Sequence, residues 1–202
     1  MNQASSIAKF AAVIGFAITM ISCTNSPRMT GETLYLGAMG IESDANSATA
    51  GDTVSYWVGD GVSGSPKIRI KLSEQKAYFY KGEKLVGVSA IATGKAGYAT
   101  PRGRFSISQK SPNHRSNLYG QIVDANGNVI NDDADSRKDR VPSGGKFIGA
   151  SMPYFMRFTR GVGLHAGYVP GYPASHGCVR MPAHMAETFY RNISHGTPVI
   201  VE

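Results

Sequence analysis

Short apolar segments separated by turn residues dominate this chain from Pro66 onward, and they leave few architectures open. Lys67–Leu72 alternates basic and apolar side chains, which predicts a half-buried strand with its charged side chains facing outward. Ala77–Tyr80 and Leu85–Ala92 follow as further strands, and charged residues and glycine form the turns between them. Strands at this spacing predict an antiparallel β meander and not a fold built from long helices.

The remaining elements after the meander are less regular. Arg104–Lys110 predicts another strand, Ala183–Asn192 after a proline predicts a short helix, and Val199–Val201 predicts a closing strand. The segment Asn113–Gly145 is long and polar, and we expect an exposed insertion there. A loop of that length is either a cover over a functional site or an unstructured stretch.

The first residues predict that the protein is exported. An uncharged apolar run from Phe10 to Ile21 follows the basic Lys9 and is too short to span a membrane, so we interpret residues 1–22 as a signal peptide. A small residue and Cys23 come next, which resembles the bacterial lipoprotein signal, where that cysteine carries the lipid. An ordinary signal peptide with an incidental Cys23 is the alternative.

The rest of the chain is expected to divide into a tether and a domain. Residues 23–65 are rich in Ser, Thr, Gly, Asn and Asp and predict a tether, with possible short strands at Leu34–Leu36 and Val54–Val58. Residues 66–202 are expected to form one catalytic domain. A lipid on Cys23 would anchor it to a membrane in the periplasm or cell envelope.

Net charge and cysteine content limit the partners. A formal charge of +7 favours a polyanionic partner, and export disfavours nucleic acid, which leaves a membrane surface or an acidic wall polymer. Two cysteines are too few for a disulfide framework. If Cys23 is acylated, Cys178 is an unpaired thiol in an oxidising compartment, where a free cysteine indicates reactivity.

The residues that carry chemistry are concentrated between His165 and Arg180. A neighbouring imidazole raises the thiolate fraction of Cys178, and either His165 or His176 could supply it. Local geometry does not choose between them. Gly177 permits a tight turn that could aim backbone N–H groups at an oxyanion, and Arg180 offers a planar donor pair for a carboxylate.

Two other interpretations of this cluster have to be considered. Cys178 could be a small buried apolar residue. His165, His176 and Cys178, with His184 or His195, could instead bind zinc, but neither the HxxxH nor the CxxC spacing is present. We therefore predict no metal site and no cofactor.

Several motifs together resemble one protein family. The run from His165 through Ser175-His176-Gly177-Cys178-Val179-Arg180 is similar to the signature of the L,D-transpeptidase catalytic domain, the YkuD domain. Matching segments occur in the same order elsewhere, at Thr93–Lys95, Thr100–Phe105, Met152–Tyr154 and Gly196–Val199. The resemblance covers about Lys67 to Val201. It implies a mostly β fold, a sandwich with one or two short helices.

The resemblance also implies roles for the site residues. Cys178 would be the nucleophile and His165 the general base, oriented by the backbone carbonyl of Ala166. The backbone at His176, Gly177 and Cys178 would form the oxyanion hole. Substrate would be held by Arg180, with Tyr154, Ser175 and Tyr172 as further contacts.

The expected reaction is acyl transfer on peptidoglycan tetrapeptide stems. Cys178 would attack the carbonyl of the L-centre residue, release D-alanine and leave a thioester that an amine resolves. If water resolves it, the protein is an L,D-carboxypeptidase or related thiol hydrolase. A catalytically idle wall-binding lipoprotein is the third possibility.

Overall fold

A computed structural model describes residues 52–202. The predicted signal peptide at 1–22, the lipidation site Cys23, the possible strand Leu34–Leu36 and most of the predicted tether lie outside the described residues. Within residues 52–202, no helix is long and apolar enough to cross a membrane.

The described chain forms two β-sheets and one helix. In chain order the elements are β1 (Tyr56–Trp57), β2 (Pro66–Lys71), β3 (Lys76–Lys81), β4 (Lys84–Ala90), β5 (Gly103–Ser106), β6 (Gln109–Val123), β7 (Val129–Asp135), β8 (Lys146–Thr159), β9 (Val162–Ala166), β10 (Val179–Met181), α1 (Ala183–Asn192) and β11 (Pro198–Val201). The mostly β prediction with a short helix is confirmed.

The first sheet contains the predicted meander. Its spatial order is β1-β4-β3-β2-β11-β5, with β2, β3 and β4 antiparallel and β11 parallel to β2. Ile68 and Ile70 are fully buried, and Ile68 pairs with the buried Phe79. Lys67 and Arg69 alternate with them on the partly exposed face, as the period of two requires.

The second sheet carries the functional residues. Its order is β10-β9-β8-β6-β7, and β9 and β10 run parallel. The segment Asn113–Gly145, expected to be an exposed insertion, is largely exposed, but it is not a loop, because most of it lies in β6 and β7, which pair as a hairpin. Most side chains of this hairpin are polar. The alternation of apolar and polar residues that identifies a strand is therefore absent from its sequence.

The predicted strand Arg104–Lys110 is divided between the two sheets. β5 ends at Ser106, and β6 begins at Gln109. Between them Ile107 is buried and donates its N–H to the Thr197 carbonyl, while the Ser108 N–H donates to the Arg157 carbonyl. The chain therefore crosses from the first sheet to the second at these two residues.

An apolar core lies against the helix and both sheets. Helix α1 has the predicted bounds, and it buries Met185, Ala186 and Phe189. The Phe189 ring centroid lies 4.9 Å from that of Phe79, which in turn lies 5.2 Å from Trp57 of β1. Packing of Trp57 attaches β1, at the edge of the first sheet, to this core.

Candidate active site

Parallel pairing of β9 with β10 brings the distant halves of the motif together. Val179 pairs with Leu164 and Arg180 with His165, so the His165 and Arg180 side chains share one face of the sheet. Cys178 immediately precedes β10. Tertiary pairing, which the local sequence does not encode, therefore brings the thiol and the imidazole to the same region of the sheet.

One cavity of about 80 Å³ contains the reactive groups. Five predicted residues line it, namely His165, Ser175, His176, Cys178 and Arg180. The other lining residues come from β6, β8, the turn before β9 and the first residue of β9, namely His114, Ser116, Asn117, Leu118, Tyr119, Met152, Arg157, Gly161 and Val162. A larger concavity of about 430 Å³, between the β1–β2 connection and the end of α1, has no cysteine or histidine in its lining.

The tautomer of His165 is fixed by one hydrogen bond. Its Nδ1 lies 2.8 Å from the Ala166 carbonyl oxygen, which can only accept, so Nδ1 carries the hydrogen. The lone pair is therefore on Nε2. His165 is 5% exposed, and burial, with smaller contributions from the charges of Arg180 and His114, lowers its pKa to about 4. The imidazole is neutral and able to accept a proton at neutral pH.

The Cys178 thiol is half-buried and protonated in this structure at neutral pH. Burial raises its pKa, while the Gly163 N–H and the charges of Arg157 and Arg180 act in the opposite direction. The thiol sulfur lies 3.8 Å from the Gly161 carbonyl oxygen. The neutral thiol and the neutral imidazole line the same cavity, so a transfer of the thiol proton to His165 would accompany the attack of the sulfur and not precede it.

Hydroxyl groups fix the loop that carries Cys178. Ser175 Oγ donates to the Cys178 carbonyl at 2.5 Å and accepts the Gly177 N–H at 3.0 Å. Thr100 Oγ1 donates to the Gly177 carbonyl at 2.8 Å and accepts the Gly94 N–H at 3.0 Å. Thr100 thus links the loop that carries Cys178 to Gly94. Both residues belong to segments that matched the family pattern, Thr93–Lys95 and Thr100–Phe105. Gly177 has a φ of +114°, a conformation that favours glycine.

Of the Gly177 and Cys178 N–H groups, these bonds leave that of Cys178 for an oxyanion. The Gly177 N–H is already engaged by Ser175 Oγ, and Ser175 shapes the loop with both of its hydrogen bonds. Among residues 52–202 the Cys178 N–H has no acceptor. Thr100 holds the Gly177 carbonyl, and the trans peptide directs the Cys178 N–H the opposite way.

His176 contacts the β6–β7 hairpin. Its ring stacks on Tyr119 with centroids 4.4 Å apart and meets Tyr98 edge-on at 4.6 Å. Its Nε2 lies 3.6 Å from Asp133 Oδ1. Burial, with the charge of Lys95, lowers its pKa, and the Asp133 charge opposes that change. These contacts make His176 a link between the nucleophile loop and the hairpin.

The predicted substrate contacts are only partly at the cavity. Arg180 is 5% exposed and lines it, with Nη2 3.1 Å from the Ala174 carbonyl. Gly167 leaves space for the Arg180 side chain, since a Cβ there would lie 3.2 Å from its Cδ. Tyr154 packs near Tyr190 of α1, with centroids 5.7 Å apart, and Tyr172 is exposed. Neither tyrosine lines the cavity.

Nine cavity residues are not among the predicted site residues, and three of the nine carry titratable side chains. These three are His114 and Tyr119 of β6 and Arg157 of β8. His114 stacks on Phe155 with centroids 4.2 Å apart. A histidine and a tyrosine in a polar segment were the only sequence signals. Among residues 52–202, no group of three or more His, Cys, Asp or Glu side chains could hold a metal ion.

Comparison with known proteins identifies relatives of this fold. The family model for YkuD, the L,D-transpeptidase catalytic domain, matches residues 65–201. No curated protein matches the chain. An L,D-transpeptidase structure from Stackebrandtia nassauensis shares 23% identity at a TM-score of 0.50 and covers 68% of this chain and 55% of that one.

Two further solved structures are similar to the same extent. The L,D-transpeptidase of Xylanimonas cellulosilytica DSM 15894 shares 20% identity at a TM-score of 0.52, over 69% of this chain and 61% of that one. The L,D-transpeptidase of Mycobacterium smegmatis shares 20% identity at a TM-score of 0.50, over 68% of this chain and 58% of that one. The chain thus spans under two thirds of these structures, and at such identities the likeness shows the fold.

Proposed function

This chain belongs to the family of YkuD L,D-transpeptidase catalytic domains, and from that membership and the site geometry we propose that it is a cysteine acyltransferase acting on peptidoglycan tetrapeptide stems. One observation carries the proposal. Cys178 and His165, from separate parts of the chain, line one cavity, and the His165 tautomer leaves its Nε2 lone pair available.

The first half-reaction forms a thioester. The Cys178 sulfur attacks the carbonyl carbon of the L-centre residue as its proton passes to Nε2 of His165. The Cys178 N–H donates to the resulting oxyanion. When the tetrahedral intermediate collapses, the bond from carbonyl carbon to nitrogen breaks, the D-alanine amine takes the proton from Nε2, and the acyl group remains on sulfur.

The second half-reaction transfers the acyl group. An acceptor amine attacks the thioester carbonyl and loses a proton to Nε2 of His165. The bond from carbon to sulfur then breaks, and the Cys178 thiolate recovers that proton. Arg180 holds the terminal carboxylate of the donor stem, since its guanidinium lies beside His165, where the leaving D-alanine must be protonated.

Neutral starting groups suit this sequence of steps. The low pKa of His165 makes its imidazolium a strong acid, which favours rapid proton delivery to the departing amine. The raised pKa of the Cys178 thiol favours return of the proton from His165 to the thiolate once the bond from carbon to sulfur has broken. Hydrolysis remains the competing outcome, because water attacks the same carbonyl.

The test is mass spectrometry of disaccharide-tetrapeptide incubated with the full chain. Cross-linked dimers together with released D-alanine are expected, and Cys178→Ala should give neither. His195→Gln, at an exposed histidine outside the cavity, is the matched control and should react normally. Tripeptides without dimers would identify a hydrolase, and unchanged substrate would refute both activities.

We also propose that the protein is exported to the cell envelope and anchored by a lipid on Cys23. The apolar run before Cys23 and the small residue next to it support this location. Metabolic labelling with a palmitate analogue tests it. The label should appear on the wild-type protein and be lost in Cys23→Ser, and an unlabelled wild-type protein would contradict lipidation.

A further inference from the structure

Arg157 places a guanidinium without a counter-ion in the wall of the active-site cavity. Its Nε donates to Gln109 Oε1 at 2.8 Å, and its Nη1 donates to the Arg160 carbonyl at 2.5 Å. No carboxylate of residues 52–202 lies within 4.0 Å of it, and its Nη2 has no hydrogen-bond partner among them. The guanidinium also lies 5.4 Å from the centre of the Phe155 ring.

These contacts hold the side chain in one position while leaving donors unused. Both bonds are to neutral acceptors, so the full positive charge is uncompensated. A guanidinium that lines a cavity and has no opposite charge nearby is available to a ligand that supplies one. Two N–H groups on Nη2 and a planar fork match the geometry of a carboxylate.

Strand pairing locates Arg157 relative to the reacting groups. Arg157 pairs with Gly163 of β9, and the parallel register of β10 sets Cys178 on the other side of Gly163. Because Gly163 has no side chain, no side chain of β9 lies between Arg157 and the Cys178 thiol. The backbones of Arg157 and Cys178 are two strand spacings apart, which is about 10 Å. The electrostatic influence of Arg157 on Cys178 agrees with this placement.

The two cavity arginines therefore occupy opposite corners of the site. Along β9, Gly163 and His165 are two residues apart and point to the same face. Arg157 flanks the Gly163 end from β8, whereas Arg180 flanks the His165 end from β10. Cys178 and His165, which must act on one carbonyl, lie between the two guanidinium groups. A substrate bound there meets a cation on each side of the bond that breaks.

We propose that Arg157 binds a carboxylate on the acyl side of the donor stem, at the end of the side chain of the L-centre residue. The inference rests on the proposed function, in which Arg180 takes the terminal carboxylate of the leaving D-alanine. The L-centre residue of such a stem is a diamino acid, and its side chain can end in a carboxylate or in the corresponding amide. Arg157 makes the enzyme selective for the free acid.

Four tetrapeptide stems test the selectivity. They combine a free or amidated side-chain carboxylate with a free or amidated terminal carboxylate. Dissociation constants are measured by calorimetry with the full chain carrying Cys178→Ala, which needs no turnover, and D-alanine release is measured with the intact thiol. A charge-assisted hydrogen bond contributes enough for the wild type to prefer the free side-chain acid by about 10- to 100-fold.

Variants assign that preference to one residue. Arg157→Gln should abolish it while leaving the preference at the terminal carboxylate intact, and Arg157→Lys should retain part of it. Arg160→Gln, which removes an equal charge from an exposed neighbour, should behave as the wild type. If Arg157→Gln does not fold, the wild-type comparison of free and amidated side chains still decides the proposal.

Three results would overturn this inference. The first is that the wild type binds stems with free and amidated side-chain carboxylates equally. The second is that Arg157→Gln weakens the binding of all four stems equally, as the loss of a structural residue would. Loss of selectivity at the terminal carboxylate would place Arg157 on the leaving-group side instead. A wild type that discriminates in binding but releases no D-alanine would refute the proposed function and leave the role of Arg157 standing.

Discussion

Acidification should destabilise this protein through His165 more than through an ordinary histidine. The imidazole has a pKa near 6.5 in the unfolded chain and about 4 in the folded one. As the pH falls below 6.5, the unfolded state binds the proton first, so stability that is fully present above pH 6.5 is lost progressively toward pH 4.

The size of the effect follows from the two pKa values. Their difference corresponds to about 3.4 kcal/mol when the imidazole is protonated in both states. At pH 4.5 the loss is about 2.5 kcal/mol, since the folded imidazole has begun to accept the proton. A typical domain has only about 5–15 kcal/mol in total, so the loss is measurable.

The assay is urea unfolding at pH 7.0 and pH 4.5 of the wild type and His165→Gln, followed by circular dichroism. Glutamine does not titrate, and all other ionisable groups contribute to both proteins. The wild type should therefore lose about 2.5 kcal/mol more than the variant between the two pH values. Equal losses in the two proteins would refute the assignment of His165 as a buried neutral base.

The same pKa makes a kinetic prediction. At pH 5.5 about 97% of an imidazole with a pKa of about 4 is neutral, compared with about 9% for an unperturbed one. D-Alanine release by the wild type should therefore change little between pH 7 and pH 5.5. A drop of about eightfold over that interval would mean that the base is an ordinary, exposed histidine.

Substitutions at three positions test how the nucleophile loop is held. Thr100→Val should lower the free energy of unfolding by about 2–4 kcal/mol, because the Gly94 N–H and the Gly177 carbonyl lose their partner, and Thr100→Ser should restore it in urea unfolding. Gly94→Ala should abolish the soluble folded protein, since the new Cβ would lie 1.9 Å from a carbonyl oxygen. Asp133→Asn should cost less than about 1 kcal/mol but speed hydrogen exchange in the hairpin that contacts His176, and unchanged exchange would contradict that link.

Sequence reasoning identified the elements with strong local patterns. Alternation of buried Ile68 and Ile70 with charged neighbours defined the first sheet, and the apolar face of Ala183–Asn192 defined the helix. The β6–β7 hairpin is not predicted because most of its side chains are polar and its few apolar ones do not alternate. Its strand structure depends on pairing with β8, which no local pattern encodes.

Some residues of the candidate site are likewise predictable from the sequence, and others are not. Motif spacing pointed to Cys178, and resemblance pointed to His165, but neither could show which cationic or aromatic groups stand opposite them. Arg157 and Tyr119 reach the cavity only through the long-range register of β6, β8 and β9. Such residues lack a motif of their own, and a three-dimensional structure is needed to find them.

The two histidines of the motif differ in the property that a general base requires. His165 has its Nδ1–H committed to a carbonyl, so one tautomer dominates and the Nε2 lone pair is in place before substrate arrives. The Nε2 of His176 instead faces the carboxylate of Asp133, and its ring lies between two tyrosines. Protonation of the His176 Nε2 would change its contact with Asp133, which joins the loop to the hairpin. We therefore propose that His165 is the base and that His176 acts by positioning.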